Sequence, residues 1–328
     1  MGRYSEALER RSLAETETGA RVPAGVGIDE GLTRIRVPAR AGERRQAGAR
    51  LSERPWALRK LPPFPPVASK LMYLLAQDEV PLQKVAELIR SDSAFSAEVL
   101  RLANSPLFGA RARISTISHA LCMVGFGRLY SLVITTALSN FLGSASSNPL
   151  LAQCWRHSLA CALAAEELAM AAGVNKDYLH TAGLLHDVGR LALAAAYPAE
   201  YARMIEVAEG QMDLLEFERD LFEIDHCEAG QWLVDQWMFP ADFREFTGCH
   251  HLRPEGRGQS PILLLHAACG IASFQGFGVS GEASESGVES CLDLLDAPAR
   301  GRVDVERLKA IPARISQLEQ ELLGLRAQ

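Results

Sequence analysis

Apolar positions recur at intervals of three and four residues through most of the chain. Val67, Leu71 and Leu74 fall on one face of a helix that begins directly after the prolines of LPPFPP (61–66). Because proline disfavours helical backbone in the residue before it, these prolines mark the entry to the helix. No convincing stretch of alternating apolar and polar positions occurs in the sequence, and the pattern therefore predicts an all-α, multi-helix protein.

The helical pattern continues towards the end of the chain, with short breaks. Gly125 and Gly127 predict a turn or a close helix crossing within 115–142, and NSP at 104–106 forms a polar break. We interpret this second break as a turn capped by its asparagine, and a surface groove for a partner is the alternative. The second half predicts helices at about 150–172, 177–196, 199–208, 212–221, 226–237, 241–250, 259–275 and 303–326.

Residues 1–50 lack this periodicity. They contain ten arginines, seven acidic residues and no lysine, with scattered glycine and alanine. Such a segment cannot bury enough apolar surface to offset its conformational entropy, so we predict that it is mostly disordered. An arginine-rich arm that binds anions is the alternative, and the acidic residues between the arginines argue against it.

Composition excludes several classes of protein. The net charge of −6 and the pI near 5.8 do not indicate a general nucleic-acid binder. No apolar run approaches the roughly 18 to 20 residues that cross a bilayer. The first residues have no apolar core typical of a secretory signal. We therefore expect a cytoplasmic protein without a membrane or nucleic-acid partner. The seven cysteines include no CxxC pair, which predicts reduced thiols rather than a disulfide framework.

Several sequence blocks, taken in order, resemble one family. They are RLANSPLF (101–108), ISTISHALCMVGFGRL (114–129), WRHSLACALAAEELA (155–169), HTAGLLHDVGRLAL (180–193), DHCEAGQWLVDQW (225–237) and HH (250–251). Together they are similar to the HDOD domains, all-helical modules of bacterial signalling that are related to the HD and HD-GYP phosphohydrolases. The resemblance implies an HDOD domain at 58–258. Residues 259–328 would then form helices that pack on this domain or extend it.

The resemblance also implies a metal site. Its candidate ligands are His157, His186, Asp187, His226, His250 and His251. Imidazole and carboxylate together suit iron, manganese or zinc. Such an ion lowers the pKa of a bound water and creates a nucleophile for a phosphate ester. If the protein is an enzyme, the resemblance assigns the catalytic role to Asp187.

Two positions and one segment depart from the pattern of the catalytic relatives. Cys269 stands where they have an aspartate, and Gln153 stands where the binuclear enzymes have a glutamate. The residues after HH read LRPEGRGQ and lack a GYP loop. Thiolate is a soft ligand that is poorly matched to hard metals, so a role for Cys269 as a ligand stays open.

These departures favour a regulatory module that acts by binding a signalling protein or a ligand. The alternative is a metal-dependent phosphohydrolase that acts on a nucleotide or another phosphate ester. A third hypothesis is that the site binds a ligand without hydrolysing it, and the ligand is then a nucleotide second messenger. The sequence does not indicate the oligomeric state.

Overall fold

The structure is a computed structural model. It describes residues 54–326, apart from 62–63, 76, 78–79, 105–113, 143–147, 209–213, 238, 253–255 and 280–286. The segment 1–50 and most of the predicted break at 104–106 therefore lie outside the described residues. Within the described part, an isolated bridge joins Gly258 and Leu295, and every longer element is helical. This confirms the predicted all-α fold class.

Seventeen α-helices follow one another along the described chain. They are α1 Pro66–Leu75, α2 Leu82–Arg90, α3 Ser93–Ala103, α4 Ile117–Val124, α5 Phe126–Leu142, α6 Pro149–Ala172, α7 Lys176–Leu185, α8 Val188–Ala196, α9 Pro198–Ala208, α10 Leu214–Phe222, α11 His226–Gln236, α12 Phe243–Cys249, α13 Pro261–Ala272, α14 Val288–Leu292, α15 Ala297–Arg300, α16 Val305–Lys309 and α17 Ile311–Arg326. A short 3-10 helix, Trp56–Leu58, precedes them, and a π-helical turn, Ser273–Phe277, follows α13.

Helix α6 is the centre of the second half of the fold. Its 24 residues begin after Asn148, whose side chain accepts hydrogen bonds from the amides of Leu150 and Leu151. The helix ends at Gly173, which adopts the left-handed conformation with φ 74° that glycine tolerates without strain. Most of its residues are buried, because α7, α13 and α17 all pack on it.

The predicted helix 177–196 is wrong in one respect, because the chain breaks in its middle. Helix α7 ends at Leu185 and α8 begins at Val188, with Asp187 at φ −107° and ψ 20° between them. Apolar residues continue on both sides of the break, which makes the pattern look continuous. The break falls at His186 and Asp187, the two residues that a continuous helix would have aimed about 100° apart.

A close contact between α8 and α11 supports this geometry. A Cβ atom added to Gly189 would lie 1.9 Å from the carbonyl oxygen of His226 and 2.5 Å from the amide nitrogen of Gly230. No side chain fits in that space, so glycine is required where the two helices meet. The contact places His226, the first residue of α11, beside the break at Asp187.

The C-terminal helices pack on the same core. Helix α13 contacts α6 and α7, and the predicted helix 303–326 is divided into α16 and α17. None of the single helices in the described ranges combines the length and the apolarity of a membrane span. Helix α4 and the first part of α5 reach that apolarity only when taken together, and they are bent by 110°.

Candidate metal centre

Several parts of the fold bring the six predicted ligands into one cluster beneath the surface. His157 comes from α6, and His186 with Asp187 comes from the junction of α7 and α8. His226 begins α11, and His250 with His251 follows α12. Ring centroids lie 5.3 Å apart for His157 and His186, and 5.0 Å apart for His186 and His250. All six residues are buried except His251, which is half-buried.

Four of the histidines are oriented by the same kind of hydrogen bond. In each, Nδ1 faces an oxygen atom that can only accept, so Nδ1 carries a proton and Nε2 is directed into the cluster. The pairs are His157 with the carbonyl of Phe277 (3.1 Å), His186 with that of Gly183 (2.7 Å), His250 with that of Thr247 (3.1 Å) and His226 with Oε2 of Glu218 (2.6 Å). Histidines that bind metals are held in this way by their surroundings.

One part of the cluster contains two thiols. Cys161 lies one helical turn after His157 on α6, and its Sγ is 3.5 Å from His157 Nε2. The same sulfur is 3.7 Å from Sγ of Cys269, which α13 supplies. The Cys161 thiol, followed by the rings of His186 and His157, holds the pKa of Cys269 well below its usual range, whereas burial raises that of Cys161. His157, Cys161, His186 and Cys269 have ligand atoms within 4.8 Å of one another.

The other part of the cluster surrounds Asp187 and contains a buried arginine. Arg190, on the first turn of α8, places Nε 3.1 Å from Oδ2 of Asp187. Its Nη2 lies 3.3 Å from Nε2 of both His226 and His251. Burial alone would raise the pKa of Asp187, but the Arg190 guanidinium and then His226 hold it well below its ordinary value. The carboxylate and the guanidinium therefore form a fully charged, buried ion pair.

Three polar atoms here have no hydrogen-bond partner: Nε of Arg190, Oδ1 of Asp187 and Nε2 of His250. The last two lie 3.5 Å apart. With His186 they form a second group whose ligand atoms lie within 4.8 Å of one another. Buried polar atoms are rarely left unsatisfied, and a cation between these two would satisfy both. The donor set therefore fits a divalent metal at this position, although Nε2 of His186 can serve only one of the two groups at a time.

Glu218 supports the far side of the cluster. Its Oε2 accepts hydrogen bonds from the amide (2.8 Å) and from Nδ1 (2.6 Å) of His226, and its Oε1 accepts one from the hydroxyl of Tyr201. Although burial opposes it, the Glu218 carboxylate raises the pKa of His226 well above its ordinary value. His251 Nε2 lies 2.9 Å from His226 Nε2, so one of these two nitrogens carries a proton.

The sequence interpretation missed three members of the cluster: Cys161, Arg190 and Glu218. A fourth is Cys227, whose ligand atom lies within 4.8 Å of those of His226, His250 and His251. Cys161 follows His157 by four residues and Arg190 follows Asp187 by three, spacings that place side chains on one face of a helix. Those spacings could have identified both residues. Gln153 stays outside the cluster, because its amide donates a 2.6 Å hydrogen bond to the carbonyl of Gly278.

Comparison with known proteins identifies the family. The sequence model of the HDOD domain family matches residues 61–252 of this chain. An uncharacterized protein of Treponema pallidum (strain Nichols) is 26% identical over 213 residues. That match takes in 62% of this chain and 41% of the Treponema protein, so the chain spans less than half the length of that relative.

Three solved structures share the fold, each with a TM-score of 0.59. An HDOD domain protein of unknown function from Geobacter sulfurreducens is 26% identical, and the match covers 81% of this chain and 91% of that one. A protein from Shewanella amazonensis SB2B, named "Putative phosphohydrolase", is 23% identical over 80% and 94% of the two chains. A "Putative signal transduction protein" from Marinobacter aquaeolei VT8 is 22% identical over 79% and 60%.

Proposed function

The chain belongs to the HDOD domain family, and from that premise we propose that it is a signal-transduction module that acts by binding and not by turnover. The observation that carries the proposal is the position of Arg190. Its guanidinium contacts the Asp187 carboxylate and the Nε2 atoms of both His226 and His251. These are three of the side chains that a hydrolytic metal centre would use.

A guanidinium at this position competes with a metal ion in two ways. It is permanently charged and repels a second cation. Its Nη2 also lies 3.3 Å from Nε2 of both His226 and His251, in the space from which an ion would reach these two nitrogens. Hydrolysis of a phosphate ester at a metal centre requires an ion that can hold and activate water. With Arg190 in place, the Asp187 side of the cluster is neutralised by a protein side chain instead.

The names of the similar proteins do not decide between binding and hydrolysis. One is named as a phosphohydrolase and another as a signal transduction protein, and both share about the same fold similarity with this chain. At identities of 23% and 22% these likenesses concern the fold alone. The arrangement of side chains in this chain therefore carries the proposal, and a signalling protein is the partner that we propose.

The proposal is tested by measuring turnover. The purified protein is supplied in turn with Mn²⁺, Fe²⁺ and Zn²⁺ and assayed with bis(p-nitrophenyl) phosphate and with cyclic dinucleotides. We expect rates no higher than those of the variant Asp187→Ala, which lacks the central carboxylate. Metal-dependent turnover by the parent protein that disappears in Asp187→Ala would overturn the proposal.

A metal-dependent phosphohydrolase is the second candidate, and the unsatisfied atoms Asp187 Oδ1 and His250 Nε2 favour it. If a metal binds there, His186, Asp187 and His250 would hold it, and the ion would supply an activated water. The turnover assay distinguishes this candidate from the first. Calorimetry with cyclic dinucleotides and guanosine polyphosphates tests the narrower idea that the bound ligand is a nucleotide, and no heat with any of them would reject it.

A further inference from the structure

We propose that His157, Cys161, His186 and Cys269 form a closed, four-ligand site for one thiophilic divalent metal, of which Zn²⁺ is the best match. The site would tie α13 to α6 and to the end of α7. It goes beyond the proposed function, because it concerns how the fold is held together rather than what the module binds. The distances between the ligand atoms, the donor types and the hydrogen bonds that hold the two rings all support such a site.

The distances fit a tetrahedral ion. Zinc binds sulfur at about 2.3 Å and imidazole nitrogen at about 2.0 to 2.1 Å. A tetrahedron with those bond lengths places its two sulfurs about 3.8 Å apart and each sulfur about 3.6 Å from each nitrogen. The structure has 3.7 Å between Sγ of Cys161 and Cys269, and 3.5 Å between Cys161 Sγ and His157 Nε2. These two distances match those that an ion of this size requires, and all four ligand atoms lie within 4.8 Å of one another.

The donor types select the metal. Two thiolates and two imidazoles in a tetrahedron are characteristic of structural zinc, whereas manganese and magnesium prefer oxygen ligands. Both imidazoles are held for this role, because His157 and His186 donate Nδ1–H to backbone carbonyls and direct Nε2 inward. Four protein ligands leave no coordination position for water, so an ion here stabilises the fold and performs no hydrolysis.

The location of the ligands gives the site its structural role. Helix α6 contributes His157 and Cys161, and the α7–α8 junction contributes His186. Cys269 comes from α13. This helix follows the segment 61–252, which is the part of the chain that matches the family model. A bound ion would therefore join the region that matches the family model to the helices that follow it. Removal of the ion would loosen α13 from α6 before it disturbed the first half of the fold.

The experiment measures metal binding directly. The protein is purified without chelators for elemental analysis, and metal-free protein is titrated with Zn²⁺ and with Co²⁺. We expect about one Zn²⁺ per chain, and a Co²⁺ spectrum with thiolate-to-metal charge-transfer bands and the intense d–d bands of a tetrahedral ion. A chain that binds no Zn²⁺, or a Co²⁺ complex without thiolate bands, would overturn the proposal whatever the result of the turnover assay.

Matched cysteine variants identify the ligands. Cys161→Ala should weaken Zn²⁺ binding by more than the roughly 10- to 100-fold that loss of a supporting residue costs. Cys154→Ala changes another buried cysteine of α6 that belongs to none of the groups of ligand atoms, and it should retain full affinity. Equal affinities in the two variants would contradict the assignment. If Cys161→Ala fails to fold, Asp187→Asn provides the second comparison. The proposal requires it to keep the thiolate bands, and their loss would overturn it.

Discussion

The most informative single substitution is Arg190→Met, because it removes the cation that faces Asp187. The side chains of Arg190 and Asp187 are 4% and 2% exposed, so water screens their attraction very little. Methionine keeps an unbranched apolar chain but leaves the carboxylate without its partner. Breaking a buried ion pair from one side destabilises a protein by about 3 to 5 kcal/mol. That is a large fraction of the roughly 5 to 15 kcal/mol by which a folded domain is stable.

Two comparisons make this prediction specific. Arg300→Met removes the partner of Asp293 in a pair whose side chains are 43% and 49% exposed, and it should cost no more than about 1 kcal/mol. The double variant Asp187→Leu/Arg190→Met removes both charges together and should recover much of the loss, because no unpaired buried charge remains.

The measurement is urea unfolding of all three variants and the parent, followed by far-ultraviolet circular dichroism in the presence of a chelator. The chelator matters because a divalent cation could bind to Asp187 once the guanidinium is gone. Addition of Mn²⁺ to Arg190→Met should then restore part of the stability, and it should have little effect on Arg300→Met. A loss for Arg190→Met in chelator that is no greater than that of Arg300→Met would refute the reasoning.

Two further predictions concern the packing and the charges around the centre. Gly189→Ala should destabilise the fold by at least the roughly 1 to 3 kcal/mol typical of overpacking, because its Cβ would lie 1.9 Å from the His226 carbonyl oxygen. The melting temperature measures this loss, and a value equal to that of the parent would contradict the close contact. The pKa of Glu166 is lowered from 4.5 to about 2, chiefly by its hydrogen bond with His180. Its contribution to stability is therefore complete above about pH 4.5 and is lost as the pH falls towards 2. Unfolding measured from pH 6 to pH 2 should show a shallower decline for Glu166→Gln, and parallel curves would contradict the pairing.

The order of the helices could be predicted from the sequence because it depends on the local spacing of apolar residues. The residues of the candidate metal centre could be predicted because their sequence blocks occur in the same order as in HDOD domains. Apolar spacing predicts α6 within a residue of its observed bounds. The resemblance to HDOD domains indicates which histidines should converge. The break between α7 and α8 could not be predicted in this way, since apolar residues continue through it and Asp187 adopts its backbone angles in the context of the packed helices.

The division of the cluster into two halves could not be read from the sequence. It depends on contacts between residues far apart along the chain, such as Cys161 with Cys269 and Glu218 with His226. From the sequence alone, Arg190 resembles a surface residue of an amphipathic helix. Only the packing of α11 and of the residues after α12 shows that it is buried. In the sequence, Cys269 stands where the catalytic relatives have an aspartate, which suggests that a metal ligand has been lost. In the structure, Cys269 lies beside Cys161, and the two thiols together can bind a thiophilic metal.

The central claim is that the cluster binds metal through a closed set of protein ligands and does not present an ion with open positions to a phosphate ester. X-ray absorption at the zinc edge, measured on protein purified without chelators, tests it most directly. We expect two sulfur scatterers at about 2.3 Å and two nitrogen scatterers at about 2.0 to 2.1 Å around each ion. A shell of nitrogen and oxygen without sulfur, with a second metal at about 3.5 to 4 Å, would contradict it and would indicate a hydrolytic centre.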